Sequence, residues 1–81
     1  MNIQLIQGEF FANDALDLIT KMIHTKIKYH ESKIQKENNE EDIKMREEKI
    51  KRLQKDLYEA RKKIENTSGK IALTSQLTFN N

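Results

Sequence analysis

Residues 69–81 read GKIALTSQLTFNN, and the apolar members recur at every second position: Ile71, Leu73, Leu77 and Phe79, with Thr74, Gln76 and Thr78 between them. Alternation of this kind is the period of a strand with one face turned from water. A strand needs a partner for its row of backbone N–H and C=O groups. The head of the chain offers one. Over residues 2–7, Ile3 and Leu5 fall on one side and Asn2 and Gln4 on the other, and Gly8 reads as a bulge or bend where the chain leaves that strand.

What lies between the two strands is helical. Asn13 or Asp14 suits the N-cap of a helix over 13–36, Asp14 and Asp17 suit its positive end, and Phe11 is placed to pack back on Leu16. Leu16, Ile19, Ile23, Ile27 and Ile34 recur at helical spacing, with Leu18, Met22 and Tyr29 widening the stripe on one flank. The run QKENNEED then puts polar residues where an apolar one is needed. Asn38 with Glu41, or Asn39 with Asp42, has capping-box spacing, so a turn over 37–39 and a second helix over 40–66 are expected. The competing reading is one unbroken helix of roughly 53 residues, about 80 Å long.

The second helix carries a heptad pattern. Ile43, Ile50, Leu57 and Ile64 lie seven apart, Leu53 and Ala60 fill intermediate positions, and Arg46 is the one polar intruder. Outside this seam, Glu40 and Lys44, Asp42 and Arg46, Glu47 and Lys51, Glu48 and Arg52, and Glu59 and Lys63 are acid-before-base pairs four apart. Asn66 to Gly69 closes the helix, with Gly69 suited to a position just past the cap.

The order strand, helix, helix, strand predicts a mainly α fold. A long antiparallel, coiled-coil-like helical hairpin carries its ends back together, so that strand 2–7 pairs antiparallel with strand 70–79, all in one domain of 81 residues. Ile3 and Leu5 are expected on the same side of that ribbon as Ile71, Leu73, Leu77 and Phe79. A two-stranded ribbon and two helices bury little. The expected assembly is therefore a homo-oligomer, most simply a dimer with four helices, joined along Ile19, Ile23 and Ile27 of the first helix and Ile43, Ile50, Leu53, Leu57 and Ile64 of the second. A different protein as partner is the remaining way to cover these residues.

Composition narrows function by exclusion. Charged residues make up 35% of the chain and aromatics 6%, with no proline and two glycines, a long-helix composition rather than a linker. The absence of cysteine removes disulfides, thiol catalysis and thiolate metal sites. No stretch has the ~18 apolar residues of a membrane span and the start lacks a signal-peptide pattern, so a soluble, cytoplasmic chain is expected without membrane contact.

His24, His30 and Glu31 are the candidates for a metal cluster, but His24 and His30 sit six apart, on different helical faces, and no metal or other cofactor is expected. His30, near the seam line, reads as a partly buried structural histidine. No glycine-rich phosphate loop or nucleophile context is present, and enzymatic activity is not expected. Net charge is +2, from 15 basic and 13 acidic residues. Lys44, Lys51, Lys55 and Lys62 nevertheless line one outer stripe of the second helix, with Tyr58 among them, so a small dimeric nucleic-acid binder is the alternative to a non-catalytic protein-interaction module.

Overall fold

The structure, a computed structural model, describes residues 1–80. The order is β1 (Asn2–Phe11), α1 (Ala12–Lys36), α2 (Glu40–Glu65) and β2 (Lys70–Thr78). The two strands pair antiparallel as a two-stranded sheet. The unbroken 53-residue helix is not formed.

The turn between the helices is built by its own side chains. Glu37 ends α1, and one of its carboxylate oxygens accepts from the N–H groups of Asn38 and Asn39 at 3.0 and 3.1 Å. Asn39 is the N-cap of α2, its Oδ1 accepting from the Glu41 N–H at 2.9 Å. The reciprocal half of a capping box, from Asp42 back to the Asn39 amide, is replaced by that bond to Glu37. Glu40, Glu41 and Asp42 then fill the first turn of α2, and Lys62 and Lys63 its last turn, each favourable to the helix dipole.

The start of α1 departs from the expected cap. Phe11 is the N-cap, with no side-chain hydrogen bond, and Asn13 and Asp14 lie inside the helix. The reason is tertiary. Phe11 is still paired with Lys70 in the sheet, so the strand runs into the helix without a loop and decides where the helix begins. Phe11 is 60% exposed and carries the Lys70 ammonium 5.3 Å from its ring centre, an arrangement that places it on the open face rather than in a staple on Leu16. At the other end α2 stops at Glu65, with Asn66 as its C-cap, and Thr67 Oγ1 donates back to the Lys63 carbonyl at 2.8 Å. Gly69, three residues past the cap, takes φ +87° as the chain turns into β2, and the space around it is open, so the need for glycine there is conformational alone.

β1 is longer than the expected 2–7 and is kinked within itself. Ile3 faces Leu77 and Gln4 faces Gln76, but Ile6 faces Ser75, which leaves Leu5 as the extra residue of a β-bulge. Leu5 therefore does not share the alternation of Ile3, and it is 54% exposed. The bulge changes parity: Ile3 before it and Ile6, Gly8 and Phe10 after it line up with Leu77, Ser75, Leu73 and Ile71 on one side of the ribbon. Gly8 lies inside the strand at φ +145°, a conformation L-residues rarely adopt, and the Phe10 ring approaches to 4.0 Å of where a Cβ would stand. β2 ends at Thr78, one residue before the expected end, yet Met1 and Phe79 exchange two main-chain hydrogen bonds of 3.1 Å and extend the ladder by one pair.

The molecule measures 47 × 33 × 13 Å. The Cα radius of gyration is 15.2 Å, whereas a compact chain of this length has about 12 Å. Among the described residues, Ala15, Leu57, Ile64 and His30 are buried, and Ala15 alone of these is fully enclosed, with no large side chain so covered.

Candidate functional site

Among the described residues, the seam between α1 and α2 is where the two helices bring polar side chains into contact. Ile19, Ile23 and Ile27 of α1 and Ile43, Ile50 and Leu53 of α2 are half-buried, and Leu57 and Ile64 are buried. Side chains on a two-helix interface are covered from one direction only, and partial exposure along the whole seam is the result. At the sheet end, Ile6, Phe10, Ile71 and Leu73 are likewise half-buried, while Ile3, Leu77 and Phe79 are exposed at 36%, 46% and 45%.

Between Ile43 and Ile50 the seam is interrupted by a polar pair. Arg46 Nη1 donates to His30 Nδ1 at 3.1 Å, joining the intruding arginine of α2 to the histidine of α1. A guanidinium has no acceptor, so Nδ1 carries the lone pair and the neutral ring holds its proton on Nε2. That Nε2–H is buried and meets no acceptor among the described residues. His30 is 5% exposed. Burial first, then the charges of Arg46, Lys49 and Lys26, hold its pKa below the usual 6.5. Tyr29 stands edge-on to the imidazole with ring centres 5.4 Å apart, and Arg46 lies 5.8 Å from the same tyrosine ring. Beside His30 a shallow recess of about 250 Å³ opens among Lys26, Lys49, Arg52, Leu53 and Asp56. The pairing of His30 with Arg46 was hidden in the sequence, because it depends on the register of the hairpin. The interruption of the heptad by Arg46 and the place of His30 near the seam line were its signals, and neither links the two.

A second recess, of about 480 Å³, lies where the end of α2 meets β2. Its walls are largely apolar, with Ile19, Ala60, Ile64, Ile71 and Leu73 among them.

Lys44, Lys51, Lys55 and Lys62 are all exposed on α2. None closes an ion pair within 4 Å: among the described residues the closed pair is Asp17–Lys21 at 2.9 Å, on α1. The five acid-before-base pairs expected on α2 are thus not closed. Exposed pairs of that kind gain too little, against side-chain entropy and hydration, to hold one geometry. Lys62 instead rests 4.7 Å from the Tyr58 ring centre. Among the described residues, no three His, Cys, Asp or Glu side chains converge as a metal site, and no helix is long and apolar enough to cross a membrane. Comparison of the chain with family models, with curated proteins and with solved structures finds no match in any of the three.

Proposed function

We propose that the protein is a non-catalytic self-association module in which a second copy supplies the layer that one chain lacks. The observation that carries this reading is the thinness of the molecule, 13 Å across. Domains are stabilised by burying one apolar face against another layer, and here the seam and the ribbon each leave such a face half open. The exposed surface supports the same reading. A compact monomer of 9.6 kDa has about 5,100 Å² of accessible surface, and this chain has 6674 Å². The excess, about 1,600 Å² per chain, is of the size that obligate dimers bury rather than that of a transient contact.

Light scattering behind a sizing column, over a concentration series, tests the reading. The expected mass is twice the 9.6 kDa of one chain. A cooperatively folded monomer at micromolar concentration sinks it.

A second reading is supported by Lys44, Lys51, Lys55 and Lys62, exposed on α2 with no ion pair closed among the described residues, and by exposed Tyr58 beside Lys62: a dimer that lays this stripe along a nucleic-acid backbone. It requires binding that weakens steeply with salt and is lost on changing Lys51, Lys55 and Lys62 to Glu with the fold intact. Absence of binding at low salt removes it.

A further inference from the structure

Resting on the self-association reading, we propose that two copies join through the outer edge of β2, antiparallel about a two-fold axis at Thr74, so that the two ribbons become one four-stranded sheet. The two edges of the ribbon are not alike. β1 is guarded: it carries the bulge at Leu5, Gly8 at φ +145° and the charge of Glu9. Bulges, glycine kinks and charges are the means by which sheet edges avoid pairing with other chains. β2 has neither bulge nor glycine, and its one charge, Lys70, stands at its first position. Its pairing with β1 is regular from Lys70 to Ser75, and Ile71 to Thr78 includes no charge, glycine or proline.

The alternation of β2 fixes the register. In a two-fold antiparallel pair the numbers of facing residues have a constant sum, and only an even sum sets apolar positions opposite apolar ones. The axis therefore passes through a residue rather than between two. Centring it on Thr74 pairs the whole of Lys70–Thr78. It also sets Lys70 of each copy against Thr78 of the other, keeping the two ammonium groups far apart, and it sets Leu77 against Ile71.

The recess beside β2 fits this register. Successive strand residues point to opposite faces, yet the recess is lined by Lys70, Ile71, Ala72 and Leu73 in succession, so it reaches the strand along its edge. The segment that would lie there is Ser75 to Thr78 of the second copy. Its Leu77, 46% exposed in one chain, would enter the apolar space walled by Ile19, Ala60 and Ile64 of the other.

The chain has no cysteine, so a single introduced thiol reports on the axis without interference. Facing residues of an antiparallel pair have Cα atoms about 4.5 or 5.5 Å apart, both within the range a disulfide spans. Thr74→Cys in the full chain, reduced and then mildly oxidised, is expected to become a disulfide-linked dimer with unchanged elution, whereas Gln7→Cys on β1 is not. Leu77→Asp is expected to raise the dimer dissociation constant about tenfold or more, with Leu5→Asp as the near-neutral control. Dimers of unchanged mass that link through Gln7→Cys, or through neither position, overturn the β2 edge and leave self-association standing. If the unmodified chain is itself a monomer, self-association fails and the edge proposal with it. If Thr74→Cys does not fold, equal dissociation constants for Leu77→Asp and Leu5→Asp overturn the proposal alone.

Discussion

His30 shows how one polar contact sets the behaviour of a seam. Its Nδ1 is held as an acceptor by Arg46, and its buried ring is surrounded by the further cations Lys49 and Lys26. The folded state therefore disfavours imidazolium. Because the folded pKa lies below the unfolded 6.5, the unfolded chain binds the extra proton first as pH falls. Stability is full above pH ~6.5 and declines below it, until the folded ring is itself protonated. Urea midpoints at pH 7.5 and 5.5 check this; His30→Leu is expected to remove most of the difference. Arg46→Met alone leaves a buried imidazole with no partner on either nitrogen and should cost about 1–3 kcal/mol. The double change to Leu and Met, which makes the position apolar on both helices, should recover that loss. Each residue was visible in the sequence, Arg46 as a break in a heptad and His30 as a histidine near the stripe. What joins them is the length of the turn, and a helical period is silent about that.

At the scale of the element, β1 departs furthest from its reading in the sequence. Two alternations overlap in it, Ile3–Leu5 on odd positions and Ile6–Phe10 on even ones, and a single parity makes the strand stop at residue 7. The bulge at Leu5 lets Ile3 share one face with the even positions, at the expense of Leu5 itself. Deleting Leu5 removes the extra residue without moving any facing pair, so such a chain should keep its sheet, with a stability change within about 1 kcal/mol by thermal melting. Loss of strand signal on that deletion contradicts the assigned register. Gly8→Ala, by contrast, forces a side chain into φ +145° and should cost about 1–3 kcal/mol. β2, with one unbroken parity, was legible from its sequence almost to its ends. The N-cap of α1 was not, because pairing of Phe11 with Lys70 outweighs the capping preference of Asn13 or Asp14. Where no such pairing intrudes, at Asn39, a side-chain cap forms.

At the scale of the whole molecule, the order of elements and the hairpin follow from periodicity, whereas the thin, elongated shape follows from how little each face covers, which no local pattern records. If a second copy completes the fold, unfolding and dissociation are one event. Melting temperature should then fall by about 4 °C for each tenfold dilution. Leu57→Asp, which puts a charge among buried seam residues, should cost more than about 4 kcal/mol and abolish assembly and helicity together. A folded Leu57→Asp monomer breaks that coupling. The pairing of β1 with β2 has one more consequence, and it concerns time. Every rung of the ribbon joins the head of the chain to its tail, from Asn2 with Thr78 to Phe11 with Lys70. Such distant rungs are slow to close, while helices and their short turn form locally and early. During synthesis β1 is made before the hairpin and its mate after it. The hairpin is therefore expected to fold before the ribbon and to act as the hinge that delivers β2 to β1, leaving β1 a lone strand until β2 is made.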